Sequence, residues 1–370
     1  MIKFSCEKVF LQNAIAVTSR AVAQKSSIPA LEGLLIHADQ QLTISGYNMQ
    51  TGIRTNVFAN VVEGGDIVLN ARLFGDIIRR MPDDMITFTA DEKMMVHVSC
   101  GDADFDILGL SAADYPDLPE VEDEYAVSMQ QKVLRSMIEE VAFAVSTNES
   151  RPVHTGALFE IADMSLSMVA VDGFRLAFRR EKLEKLEGGA FSFVCPGSAL
   201  SEVKSICGDT EDLVTVTLGK RHILFEIGDT QLICRRLEGE FLDYKNAIPR
   251  KNPIQIVAET KALIESIDRV SVVISDKLKS PVRCLFDVDR VYLSARTGNG
   301  EAKDICPVRG DGQSLEIGFN NRYLMDALRY APADTVTMQL NTGISPCIIV
   351  PTDGSDNFLY MVLPVRLKAQ

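Results

Sequence analysis

Phe4-Ser5-Cys6-Glu7-Lys8-Val9-Phe10-Leu11-Gln12-Asn13-Ala14-Ile15 becomes decisive when set beside Val127-Ser128-Met129-Gln130-Gln131-Lys132-Val133-Leu134-Arg135-Ser136-Met137-Ile138 and Ile256-Val257-Ala258-Glu259-Thr260-Lys261-Ala262-Leu263-Ile264-Glu265-Ser266-Ile267. Phe4, Val127 and Ile256 each open a short strand signal. Leu11, Leu134 and Leu263 follow seven places on, and Ile15, Ile138 and Ile267 four further, without a gap. Adding Val22, Val145 and Ile274 gives apolar positions at i, i+4 and i+11, one face of an α-helix. Each copy therefore begins as a strand followed by an amphipathic helix.

A second apolar helix signal recurs in mid-copy: Phe74 and Ile77, Leu200 and Val203, Leu324 and Ala327. The first follows a strand signal over 66–70. Pro82, Gly208 and Pro332 act as stops. The remainder reads mostly as strand, in runs such as Leu34-Leu35-Ile36, Ala157 to Ile161 and Cys284 to Val288, punctuated by the turns Gly101-Asp102, Gly228-Asp229 and Gly354-Ser355. The Pro-rich acidic stretch 114–124 and the polar stretch 248–253 read as linkers. They divide the 370 residues into domains 1–124, 125–250 and 251–370. A repeat of about 125 residues is too long for a solenoid unit, so each copy should be an α+β domain with its own core and two helices packed on antiparallel sheet.

Composition agrees with a folded chain: 46% hydrophobic and 24% charged, without low-complexity tracts. No stretch reaches the roughly 20 apolar residues of a membrane span, and charges break up any signal-peptide core at the start, so the expected location is cytoplasmic. Eight cysteines lie too far apart for CxxC motifs and read as small buried hydrophobes. The net charge of −13 speaks against a nucleic-acid binder until it is resolved by segment. The helical segments, taken as 8–25, 72–81, 130–146, 196–207, 260–279 and 320–331, carry +7, and the rest of the chain −20. A helix-lined surface would then attract phosphate without reading sequence, while an acidic outer wall discourages wrapping. Lys and Arg are also simply good helix formers.

Motifs for chemistry are missing. Gly219-Lys220 is followed by Arg221, which breaks the phosphate-loop pattern, and neither HExxH nor GxSxG occurs. Asp102, Asp104 and Asp106 begin like a calcium loop, but Ile107 stands where Gly is needed and Ala113 where the closing Glu belongs. Period two makes them the wet face of a strand. His37, His97, His154 and His222 are scattered, and His154 with Asp172 is the nearest thing to a base with its orienter. Without Trp or aromatic-basic interleaving, base stacking on single strands is disfavoured. No metal or cofactor is expected.

Val171-Asp172-Gly173-Phe174-Arg175-Leu176-Ala177, Leu237-Glu238-Gly239-Glu240-Phe241-Leu242-Asp243-Tyr244, Ile317-Gly318-Phe319-Asn320, Val362-Leu363-Pro364-Val365-Arg366-Leu367 and Ser111-Ala112-Ala113-Asp114-Tyr115-Pro116 together resemble the β subunit of bacterial DNA polymerase III, the sliding-clamp family. The resemblance runs end to end. It implies a non-catalytic homodimer joined head to tail, with six domains around a hole that holds double-stranded DNA by topology.

It further implies a groove for a short linear peptide ending in Leu-Phe, carried by replicative and repair polymerases, the clamp loader and other partners. Matching positions are Arg151, His154, Gly173, Phe174, Arg175, Leu176, Leu242, Asn320, Tyr323, Ile344, Met361, Leu363, Pro364, Val365 and Arg366. Asn320 and the Arg side chains would bond the peptide backbone. Phe174, Leu242 and Asn246 depart from residues common in the family, and Gly197-Ser198 lacks basic residues common there. DNA contact then leans on Lys25, Arg72, Arg79, Asn148 and Arg151, and Phe105 of one protomer should meet Val273 and Ile274 of the other. Two other classes stay open: an enzyme using the groove as its active site, and an open scaffold that binds partners but not DNA.

Overall fold

The computed structural model describes residues 1–122, 125–274, 280–311 and 313–367. The last residues of the helical segment expected over 260–279, the domain limit expected at Glu124 and the final residues 368–370 lie outside them.

Seven α-helices are described: α1 (Lys8–Thr18), α2 (Ala71–Arg80), α3 (Gln131–Ala142), α4 (Gly197–Ile206), the single turn α5 (Tyr244–Ala247), α6 (Thr260–Ser271) and α7 (Asn321–Arg329). Six are the expected ones, and α5 is not anticipated by the repeat. The second helix of the first and third copies is started by an asparagine cap. Asn70 Oδ1 accepts from Leu73 N at 2.9 Å, and Asn320 Oδ1 from Arg322 N at 3.0 Å.

The first helix of each copy stops short of the expected end, at Thr18, Ala142 and Ser271. The last apolar residues of the series, Val22, Val145 and Ile274, are not on the helix. Their N–H groups donate instead to the carbonyls of Ser19, Ala142 and Ser271, three residues back, at 3.2, 3.1 and 2.9 Å. The same tight exit is repeated three times. Hydroxyls help to end two of these helices: Thr18 Oγ1 donates to Ala14 O at 2.7 Å and Ser271 Oγ to Ile267 O at 2.6 Å.

Contacts divide the chain into two compact units, one of residues 1–134, 184–189 and 201–236, the other of 135–183, 190–200 and 237–370. In the first, one sheet has five strands in the order Asn60–Glu63, Ile2–Glu7, Met85–Ala90, Met95–Cys100 and Ala103–Leu108. The other has nine: Lys185–Glu187, Tyr125–Gln130, Leu213–Leu218, His222–Ile227, Thr230–Arg235, Thr51–Val57, Leu42–Tyr47, Gly33–Ala38 and Gly65–Asn70. All pairings are antiparallel, and the fifth and sixth strands join sequence from different copies. A core of Phe4, Leu11, Ile15, Phe74 and Phe88 fills the space under α1 and α2.

The second unit repeats the scheme with nine strands in the order Phe191–Pro196, Gly156–Ala162, Ser165–Val171, Arg175–Lys182, Phe358–Val362, Cys347–Pro351, Thr335–Leu340, Ile254–Glu259 and Arg309–Gly310. Its four-stranded sheet runs Gly300–Pro307, Arg290–Thr297, Val282–Phe286 and Leu315–Phe319. Val288 lies beyond the strand in which the sequence placed it.

All eight cysteines are buried and none is in a disulfide, and burial pushes the Cys6 and Cys284 thiols up to about 12. The strand Ala103–Leu108 carries Asp104 and Asp106 as expected and leaves Asp102 in the turn before it. Asp104 and Asp106 are exposed, but so are Phe105 and Leu108, at 41% and 68%. The alternation does not separate wet from dry, because this is an edge strand with a neighbour on one side only.

Candidate functional site

The densest set of expected site residues lies in the second unit, at the turn from Ser165–Val171 into Arg175–Lys182. Gly173 makes the turn with φ of +89°, a conformation that favours glycine. Asp172 locks it: Oδ1 accepts from Phe174 N at 2.9 Å and Arg175 N at 3.1 Å, and Oδ2 from Arg175 Nε at 2.8 Å. Asp172 is thus a turn-former rather than an orienter for His154.

Arg175 is held on every side. Its Nη1 donates to Asp326 Oδ2 at 2.6 Å, and the guanidinium lies 4.5 Å from the centre of the Tyr323 ring and 5.4 Å from that of Phe143. Those partners fix it as a structural wall, so its expected use as a donor to a bound backbone falls to whatever N–H capacity remains. Phe174, 59% exposed, stacks on Tyr323 with centroids 6.0 Å apart.

Behind this wall is a cavity of about 450 Å³. Leu176 and Met361 face each other across paired strands in its floor, and Val171, Leu242, Ala247 and Leu363 add apolar lining. Arg151, His154, Gly173, Phe174 and Arg175 complete the expected set on it, joined by Ser146, Asn148 and Ser150. His154 is half-buried, 5.5 Å from the Phe241 ring in an edge-on arrangement. Burial, and then the Arg151 charge, hold its imidazole below the usual histidine value and favour the neutral form.

The terminal segment closes the other side. Leu363 N donates to Phe174 O at 2.9 Å and Val365 N to Gly318 O at 2.8 Å. Gly318 suits this pairing, since a Cβ would come within 2.8 Å of the Val365 carbonyl oxygen. Asn320, Tyr323, Ile344, Pro364, Val365 and Arg366 are not on the cavity lining. Tyr323 reaches it through Phe174 and Arg175, and Ile344 is a free apolar surface at 73% exposure. Asn320 spends its Oδ1 on the α7 cap, leaving its amide N–H groups as donors.

Of the residues expected on DNA, Lys25, Arg72 and Arg79 are exposed in the first unit, with Arg79 ion-paired to Asp76. Asn148 and Arg151 line the cavity. Phe105 lies on its free edge strand, and Val273 and Ile274 follow the end of α6, half-buried. Sequence reasoning missed Val171, Ala247, Phe143 and Asp326. Asp172-Gly173, an Asx-turn signal, was the one clue to the turn, while Phe143 and Asp326 are far from it in sequence. Among the described residues no group of three His, Cys, Asp or Glu is placed to hold a metal.

A triplicated sheet-and-helix scaffold that carries an apolar cavity defines a protein of the clamp class. Three family models, the N-terminal, central and C-terminal domains of the DNA polymerase III beta subunit, match residues 2–119, 128–243 and 245–366. A beta sliding clamp of Staphylococcus aureus is 29% identical over 99% of this chain and all of its own length. The DNA polymerase sliding clamp of Bacillus subtilis superposes with a TM-score of 0.94 at 26% identity, over 99% of this chain and all of the other. A sliding clamp of Pseudomonas aeruginosa bound to griselimycin does so at 0.93 and 25%, with the same coverage. The chain belongs to the DNA polymerase III beta subunit family: it is a sliding clamp, a processivity factor and not an enzyme.

Proposed function

We propose that two copies close head to tail into a ring of six domains, with limits near 1–124, 125–250 and 251–370, and that the ring encircles double-stranded DNA. The observation that carries this is a strand count. Each nine-stranded sheet consists of five strands of one copy joined to four of the copy before it, and the two remaining sheets have five strands, from the first copy, and four, from the third. Their free edges, Ala103–Leu108 and Gly300–Pro307, stand where Thr230–Arg235 and Thr51–Val57 join inside the chain. Pairing them between protomers makes a third nine-stranded sheet and removes both edges.

The internal joint also supplies a register. With the capping Asn70 and Asn320 as anchors, Leu232 opposite Ile53 corresponds to Phe105 opposite Ala302. Gln231 and Arg54, bonded at 2.5 Å, correspond to Asp104 and Lys303. Val273 and Ile274 then flank the ring of Phe105 from the end of α6.

Lys25, Arg72, Arg79, Asn148 and Arg151 are assigned to DNA, whose phosphates the four cations attract without sequence preference. The cavity over Leu176 and Met361 receives the Leu-Phe end of a peptide from polymerases, clamp loader and other partners. Asn320, Tyr323, Ile344, Pro364, Val365 and Arg366 border its preceding residues. The griselimycin complex of the Pseudomonas relative supports a ligand site on this fold. A replication factor in which no described helix is long and apolar enough to cross a membrane fits a cytoplasmic location.

The test is to load the protein onto nicked circular DNA with a clamp loader and ATP, wash at high salt, and linearise the circle. Salt screens phosphate contacts and leaves a topological link intact. Retention on circles with release on cutting is expected. Loss from both forms, with a control clamp retained, favours an open scaffold.

A further inference from the structure

The sheet face that carries the first cavity holds a second beside it, of about 600 Å³. Phe178, Leu359 and Val350 form its apolar floor, with Thr337 at the next strand. Arg180, Lys245 and the turn at Gly354 bound its rim. The two cavities are two ends of one surface. Leu176 and Phe178 alternate along one strand, Met361 and Leu359 along its partner, and all four belong to a single apolar cluster. The turn α5 borders both, through Ala247 on one side and Tyr244 on the other.

Resting on the groove reading above, we propose that this second cavity is a further subsite for the same partner peptides. It takes an apolar side chain two residues beyond the Leu-Phe anchor on its C-terminal side. Spacing carries the argument: side chains two apart on a strand lie about 6.6 Å from each other and on the same side, and an extended peptide has the same repeat. A peptide lying along Arg175–Lys182 with its anchor over Leu176 therefore presents its second following residue over Phe178 and Leu359. The direction follows from Asn320, Tyr323 and Ile344. These border the residues before the anchor and lie outside the first cavity, so the chain leaves toward Phe178. The rim argues against a charged side chain as the occupant. Arg180 already meets Asp356 at 2.7 Å and Lys245 meets Glu160 at 3.2 Å, so neither cation awaits a partner.

Three labelled peptides test this by fluorescence anisotropy: one ending in Leu-Phe, the same extended by Gly-Leu, and the same extended by Gly-Ser. On the unaltered protein the Gly-Leu peptide should bind about tenfold or more tighter than the other two, the gain of burying one aliphatic side chain. Thr337→Arg, which fills the second cavity from a part-exposed strand position, should reduce that gain below twofold. Binding of the shortest peptide should stay unchanged, which also reports that the variant is folded. Equal binding of the Gly-Leu and Gly-Ser peptides, with the short one bound, overturns the subsite and leaves the groove standing. A gain that survives Thr337→Arg places the extra contact elsewhere and also overturns it. If no peptide binds, the groove reading fails and the subsite with it.

Discussion

Phe105→Ala is the sharpest perturbation of ring closure. On the free edge strand the ring is 41% exposed, while the corresponding Leu232 at the internal joint is fully covered. Closing the dimer should therefore bury the remaining two-fifths of a phenylalanine side chain. Full burial of such a side chain is worth about 1.5 to 3 kcal/mol, so each joint gains about 0.6 to 1.2 kcal/mol. A ring has two such joints, and losing both costs about 1.2 to 2.5 kcal/mol. That corresponds to a dimer dissociation constant raised about 7-fold to 60-fold. The monomer should lose less, since the edge already exposes much of the ring. Mass photometry or sedimentation over a dilution series measures the constant directly, with guanidinium unfolding of the monomer as the control. A constant within twofold of the unaltered protein would show that this edge is not the joint.

Four further outcomes are expected. Asp104→Lys and Lys303→Asp should each weaken the dimer and together restore it, with a coupling of about 0.2 to 1 kcal/mol per joint, measured in the same assay; additive losses would reject the register. Arg179 lies 2.5 Å from the buried Glu140 carboxylate, so Arg179→Ala should cost roughly 3 kcal/mol or more in chemical denaturation, a charge left behind in the core. Because the folded His154 pKa lies below its unfolded value of 6.5, its contribution to stability is full above that pH and is lost as pH falls through the folded pKa; His154→Gln should flatten the acid fall in melting temperature there, and an unchanged profile removes His154 from the acid response. Deleting residues 366–370 removes Arg366 and the Leu367 contact over Gly318, and should weaken Leu-Phe peptides in calorimetry; an unaltered affinity takes the tail out of the site.

The repeat was legible because its carriers are local. Leu11, Ile15 and their counterparts sit at helical spacing inside one segment, and a helix buries whichever face its own sequence makes apolar. Asn70 and Asn320 likewise cap helices through bonds two or three residues away. Helix ends were less legible. Val22, Val145 and Ile274 continue the apolar pattern into a tight turn, where burial is the same and the backbone is not, so periodicity alone cannot see the exit.

The peptide groove was legible only through resemblance. Its residue types are those of any sheet core, and nothing in the sequence of Leu176 or Met361 says that one side of their strands stays open. Pairing of Arg175–Lys182 with Phe358–Val362 joins segments about 180 positions apart, and that pairing brings Phe174 against the C-terminal segment. Arg175 shows the same limit: from sequence it is a ready donor, and in the fold Asp172, Asp326, Tyr323 and Phe143 hold it as a wall. The sequence by itself determined three α+β copies and their order, since these depend on spacing along the chain. Tertiary structure decided which strands stand unpaired at the two edges and which apolar surface is left open beside α5, because a free edge or an open face is defined by what long-range pairing fails to cover.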